Sequence, residues 1–335
     1  MSLLVLFAVS MVTLGLEVLL TRVFSVVLFA SHSFLAISLA LLGTGAGALL
    51  VYFARPLDKE KLERRVIPLL GLLSLVVIVS LWGFLQVEFV PQKLEDPTTQ
   101  VVQDNLSFRQ RVLTLGRNPD LFHSWKLYGA IPLAFLPFLL AGYIQALVFR
   151  SEPSKFGLMY GFDLIGATFG SVSLPLLLYS LGLRGTVFVM AAVSVAPLLY
   201  VLARREKRLA VAAASAAPVL MMVILGGSGS FRVKFAAGFE EKDLIRERWS
   251  PMARVALLNY RGQQMYTIDN GSRSYYAPKN AETIRRYMPS LYTIAMEMKK
   301  GGDPLVIASG GGQELTMASH FGMNRIDAVE IAVPS

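Results

Sequence analysis

Seven stretches of this chain, at 3–29, 34–53, 66–87, 127–149, 156–181, 186–202 and 209–225, are almost wholly apolar. Crossing a bilayer takes about 20 such residues in a row. In hydrocarbon every backbone N–H and C=O must find its partner within the chain, so runs of this kind become helices packed on one another. Residues 1–229 are therefore expected to form a polytopic α-helical membrane domain of about seven helices. Composition agrees: 54% of residues are hydrophobic and 16% charged, against about 25% charged in ordinary soluble domains. The mean hydropathy is +0.53. The N-terminus lacks a basic leader region and a small-residue cleavage site, so the first run is expected to be retained as a span.

The formal net charge of +9 does not point to nucleic acid. Basic residues cluster beside the apolar runs, at 55–65 and 204–208, where cationic loops flank membrane spans. There is no cysteine, which excludes disulfides, a thiolate nucleophile and Cys-ligated metal sites. His32, His123 and His320 are far apart, so no metal site is expected. Gly43, Gly45 and Gly47 in the second run, and Gly161, Gly166 and Gly170 in the fifth, are expected to let neighbouring helix backbones approach closely. Glu17, Arg22, Glu88 and Asp163 lie within or at the edges of the runs. Charges there are costly and tend to pair or to line a polar path. Glu17 and Arg22 are five apart, a poor spacing for an intrahelical bridge. Asp163 is the expected partner of Arg22, in a structural ion pair or a substrate or proton site.

Beyond Gly226-Gly227-Ser228-Gly229 the pattern changes. A β-hairpin is expected from 253–258 and 264–268, closed by Asp269-Asn270-Gly271. Residues 281–300 have helical periodicity, interrupted by Pro289. The polar connection 91–126 is expected to carry an amphipathic helix at 101–115. Near the C-terminus, 303–309 reads as a buried strand, Gly310-Gly311-Gly312 as a turn, 313–321 as a helix and 325–331 as a second strand bearing Glu330. Strand, glycine turn, helix, strand and acid form the beginning of a nucleotide-binding βαβ unit. Its glycines admit a ligand close to the backbone and its acid accepts hydrogen bonds from ribose hydroxyls.

Residues 305–331, LVIASGGGQELTMASHFGMNRIDAVEI, resemble the first two strands of the spermidine synthase-like, S-adenosylmethionine-dependent transferases. Trp249-Ser250-Pro251-Met252-Ala253-Arg254-Val255 and Tyr266-Thr267-Ile268-Asp269-Asn270-Gly271 are similar to the hairpin region before that family's cofactor domain. Leu16-Glu17-Val18 with Thr21-Arg22, and Tyr160-Gly161-Phe162-Asp163-Leu164-Ile165-Gly166-Ala167, resemble its multi-spanning members. The resemblance implies a membrane domain (1–229), a hairpin and linker-helix region (230–300) and the N-terminal part of a Rossmann-like α/β cofactor domain (301–335). The implied cofactor is S-adenosylmethionine or its decarboxylated form. Gly310, Gly311 and Gly312 would border its methionine part and sugar, Gln313 or Glu314 its polar end, and Glu330 its ribose. The family's polyamine signature, an acidic cluster with Tyr-His-Glu, is replaced here by Ser272-Arg273-Ser274-Tyr275-Tyr276-Ala277-Pro278. The family's catalytic aspartate lies downstream of the position of Glu330, so no catalytic residue is assigned.

The implied function is methyl or aminopropyl transfer to a small-molecule amine or other nucleophile, by a protein of the prokaryotic plasma membrane. The sequence ends soon after Glu330, so an incomplete, inactive cofactor domain is expected. The alternative is a transporter or membrane scaffold with a vestigial or regulatory soluble tail. The partners expected are the lipid bilayer and the acceptor, with a homo-oligomer open and nucleic acid not expected. Seven spans put the termini on opposite faces, and the Lys/Arg-rich loops after spans two, four and six favour their own face as cytoplasmic. A cofactor site requires cytosolic cofactor. The soluble part is accordingly expected in the cytoplasm, through a re-entrant span or a further inserted segment within 91–126.

Overall fold

The computed structural model describes residues 1–28, 32–53, 59–87, 125–203, 208–227, 229, 231–236, 239–241, 244–250, 253–260, 263–269, 272–275, 294, 296, 298–299 and 301–330. Glu88, His123, the expected amphipathic helix 101–115 and most of the expected helix 281–300 lie outside these residues. The chain divides into two compact units, Met1–Glu240 and Glu241–Ser335.

In the first unit the apolar runs are helices α1 (Ser2–Val27), α2 (Ser33–Tyr52), α3 (Lys59–Gln86), α4 (Trp125–Ser151), α5 (Phe156–Val195), α6 (Pro197–Ala203) and α7 (Arg208–Gly227). Among the described residues, six helices are long and apolar enough to cross a membrane. The fifth of these contains α5, which has 40 residues. Straight, it would reach about 60 Å, twice the hydrocarbon thickness. It does not run straight. Gly182, with φ 67° and ψ −176°, breaks the helix, and this left-handed φ suits glycine. A Cβ placed on Gly15 would lie 3.0 Å from the Met190 methyl and 3.5 Å from the Gly170 carbonyl oxygen. Those two residues would be about 30 Å apart in an unbroken helix. The second arm of α5 therefore folds back on the first, so the fifth expected run and part of the sixth lie in one element, and six helices stand among the described residues where about seven were expected.

Glycine positions set how closely the helices pack and also reveal their directions. A Cβ on Gly166 would overlap the Phe7 carbonyl, and one on Gly170 the Met11 carbonyl. Contacts thus advance together along α1 and the first arm of α5, which run parallel. Gly43 faces Phe138, and Gly47 faces Leu139 and Tyr143, so α2 and α4 are parallel too. Gly45 and Gly161 have nothing within 4 Å of an added Cβ and take no part in this packing. The further inserted segment expected within 91–126 lies outside the described residues. Ser2 and Glu152 mark the Met1 face, their side chains hydrogen-bonded at 3.1 Å. At the opposite face Arg184, just past the α5 reversal, donates to the Gly226 carbonyl at 2.9 Å. That contact places the end of α7 away from Met1.

The second unit is built from small sheets. Strands β1 (Phe235–Ala236) and β2 (Phe239–Glu240) pair at the end of the first unit. The second begins with an antiparallel four-stranded sheet in the order β3 (Leu244–Trp249), β4 (Arg254–Tyr260), β5 (Gln263–Ile268) and β6 (Ser272–Tyr275). The expected hairpin is its central pair. Register runs from Val255 opposite Ile268 to Tyr260 opposite Gln263, which buries Val255 and Tyr266 on one side with Ala253. Strands β3 and β6 were not anticipated. The alternation of Arg, Glu and Ser within them hides the pattern of a strand, and pairing with β4 and β5 decides that they are strands. Farther on, β7 (Leu305–Ile307) and β8 (Asp327–Val329) are paired in parallel around helix α8 (Gln313–His320). Both strands are shorter than the apolar runs that announced them, because the ladder ends where the glycine turn begins.

Candidate functional site

At the C-terminal edge of β7 the backbone turns sharply. Ala308 is left-handed at φ 58°, Gly310 at 48° and Gly312 at 80°. The two glycines tolerate this without a Cβ penalty, whereas Ala308 carries strain. The turn is held by Gly312 N–H donating to the Ser309 carbonyl at 2.8 Å, and by Ala308 N–H donating to Val329 across the parallel pair, also at 2.8 Å. Gly311 is buried and α8 begins at Gln313. The first N–H groups of a helix have no partner inside it and present partial positive charge. Glu330 follows β8 directly, and its carboxylate accepts the Gly310 N–H at 2.8 Å. The structure thus brings Gly310 and Glu330 together, with Gly311, Gly312 and the start of α8 beside them. Glu314 stands in the first turn of α8, where its charge suits the helix dipole.

Sequence reading missed a third contributor. The Tyr266 phenol on β5, 4% exposed, is pushed up to about 12, first by burial and then by the Glu330 charge. It stays neutral at physiological pH, within reach of the Glu330 charge.

The same unit buries a charged group that the sequence did not flag. Arg254 makes a bidentate pair with Glu241, at 2.8 and 2.6 Å, and two further bonds to Glu247 at 2.8 and 2.6 Å. The Arg254 and Glu241 side chains are each 1% exposed. The guanidinium also lies 5.6 Å from the Trp249 ring centroid, within cation–π range. Burial opposes its charge, but the Glu241 and Glu247 carboxylates outweigh that and raise its proton affinity. With the guanidinium enclosed, the triad holds β3 to β4.

In the membrane unit the expected Arg22–Asp163 pair is not formed. Asp163 takes the Ser10 hydroxyl and, at 3.3 Å, the Gln145 side-chain amide, which also donates to Ser10 at 2.9 Å. Arg22 lies twelve residues beyond Ser10 on α1, about 18 Å along the axis, and cannot reach the same place. The parallel course of α1 and α5 sets this register. Glu17 has no hydrogen bond or ion pair among the described residues. Ser10 and Gln145 were missed because neither is charged. Their signal was only a polar side chain inside an apolar run. No family model, curated protein or solved structure matches the chain.

Proposed function

We propose that the C-terminal unit binds an adenosylated sulfonium, S-adenosylmethionine or its decarboxylated form, and that the chain belongs to a membrane-anchored, spermidine synthase-like transferase with a Rossmann-like cofactor region. The carrying observation is the Glu330 carboxylate set over the Gly310 amide, at the mouth of a strand–glycine turn–helix. Residue chemistry fits the group: glycine backbone for close approach, helix N–H groups for polar atoms, and a carboxylate for vicinal hydroxyls. The sulfonium supplies a carbon next to positive sulfur, open to displacement by a nucleophile. This chain supplies position. Glu330 exchanges its Gly310 contact for ribose hydroxyls, and the glycine turn fixes the cofactor's direction relative to an amine or other nucleophilic acceptor.

Replacing Glu330 with Gln keeps size and removes a charge-assisted acceptor, a loss of about 1.5–3 kcal/mol. Affinity for S-adenosylmethionine, measured by calorimetric titration of the full chain, is expected to fall about 10- to 150-fold. Binding by the parent that is unchanged in the Glu330→Gln variant would remove Glu330 from the site.

One observation favours the second reading, a transporter or scaffold with a regulatory soluble unit. Helix α7 ends on the face opposite the connections rich in Lys and Arg. The positive-inside bias thus sends the chain past Gly227 away from the cytosolic cofactor pool. The transferase reading requires the C-terminal unit in the cytoplasm of a prokaryotic plasma membrane. A reporter fused after Ser335 that is active on one side only separates the two.

A further inference from the structure

We propose that Asp163 is an intramembrane proton-binding site, loaded through a small cavity on the Met1 face of the helix bundle. The site is built from three helices: Ser10 on α1, Gln145 on α4 and Asp163 on α5. Both donors, the Ser10 hydroxyl and the Gln145 amide, aim at the same oxygen, Asp163 Oδ1. Among the described residues Asp163 has no other hydrogen bond or ion pair, so there Oδ2 meets no donor and the carboxylate no cationic partner. An asparagine would satisfy Ser10 and Gln145 equally well. A carboxylate in this place carries a charge that hydrocarbon penalises, and an exchangeable proton on Oδ2 removes it.

Depth and access agree with this role. Ser10 is eight residues from the start of α1, Asp163 seven from the start of α5, and Gln145 six from the end of α4. All three are therefore about 9–12 Å below the Met1 face. On that face a cavity of about 100 Å³ is lined by Met1, Ser2, Leu62, Glu63, Val148 and Glu152, among others, enough for several waters. Gln145 and Val148, at i and i+3, share one stripe of α4 leading from the cavity toward the cluster, and Glu152 follows just past the helix end.

The other charged or titratable groups on the packed helices are displaced along their axes or engaged elsewhere. On α1, Glu17 and Arg22 lie seven and twelve residues beyond Ser10, and the Met1 amine is at the cavity. On α4, Arg150 donates to the Val51 carbonyl at 2.6 Å, Tyr143 is next to the α2 backbone and Lys126 is at the far end. On α3, Lys61, Glu63, Arg64 and Arg65 stand at the Met1 face. Flanking Asp163, Lys155 pairs with Glu152 at 3.0 Å, the Tyr160 ring stacks on Phe156 and Arg184 is beyond the reversal.

The test is infrared difference spectroscopy of the full chain in liposomes as pH is varied. The expected result is a carbonyl band of a protonated carboxylic acid that vanishes on raising the pH, is absent from Asp163→Asn and persists in Glu17→Gln. Removing a donor to the anion favours the protonated form. Ser10→Ala is thus expected to bind the proton about tenfold more tightly, moving the midpoint up by about one pH unit. An identical band in Asp163→Asn would overturn the proposal. If that variant does not fold, an unmoved midpoint in Ser10→Ala would do so. A titration displaced by sodium chloride but not by choline chloride would overturn it in favour of a sodium site.

Discussion

Leu42 on α2 and Ile307 on β7 are both exposed apolar side chains, at 62% and 73%, yet they belong to surfaces with opposite meanings. Around Leu42 stand Leu41, Leu49 and Leu50, all exposed, on a helix whose polar backbone is satisfied within itself. That is a surface made for lipid. Ile307 is joined by Leu305 and Val329 on a two-stranded parallel sheet, and parallel sheets are ordinarily covered on both faces. The units also handle polar groups differently. Glu241, Glu247 and Arg254 neutralise one another in the second, whereas Asp163 in the first meets only neutral donors among the described residues. Tertiary contacts in the membrane unit are backbone against backbone at glycines, and in the second unit they are side-chain pairs across strands.

The largest effect that tests this contrast is expected at Arg254. Arg254→Ala strands two carboxylates, one fully buried, and should destabilise the second unit by about 3–5 kcal/mol. Hydrogen exchange in β3–β5 of the full chain reads this directly, and a loss below 1 kcal/mol would show that the triad is not what joins the strands. In the membrane unit the matching test is Gly166→Ala. Its Cβ would overlap the Phe7 carbonyl, so α1 and α5 must separate, at about 1–3 kcal/mol. Gly161→Ala, with open space around it, should leave thermal stability in detergent unchanged or slightly raised. Equal effects at the two positions would break the claim that packing there is by backbone approach.

A smaller change is expected at the glycine turn. Ala308→Gly relieves a left-handed alanine at about 1–2 kcal/mol but frees the unfolded chain by about 0.4–1 kcal/mol. A net gain of roughly 0.5–1 kcal/mol in a denaturant titration is expected from that difference. The last effect, which appears only at high pH, concerns Tyr266. Its phenol in the folded chain is raised above its ordinary value to about 12, so the folded state holds the proton more firmly. Stability is therefore full below pH 10 and declines as pH rises from about 10 toward 12. Tyr266→Phe should abolish that decline, seen as parallel melting curves at pH 9 and pH 11.

Much of the fold was legible because it follows from local composition. Continuous apolar runs imply helices wherever the solvent is lipid, and Gly310-Gly311-Gly312 between two short apolar runs marks a strand-to-helix turn. Glu330 was legible as the acid after the second strand. Less legible were β3 and β6, whose charged residues are strand-forming only when β4 and β5 lie alongside. Arg254 was legible only as one position of the Trp249–Val255 resemblance. Its burial depends on Glu241 and Glu247, thirteen and seven residues earlier.

By itself the sequence determined which segments avoid water, where a helix must break and where a turn needs glycine. These are properties of each residue and its immediate neighbours, set by hydration and backbone sterics. Tertiary structure alone decided that α5 doubles back beside α1, that Asp163 meets Ser10 and Gln145 and not Arg22, and that Tyr266 senses Glu330. Each of those depends on the rotation and sliding of one element against another. A seven-residue slide along a helix moves a side chain about 10 Å while leaving local hydropathy unchanged, so only the packed bundle can choose among such registers.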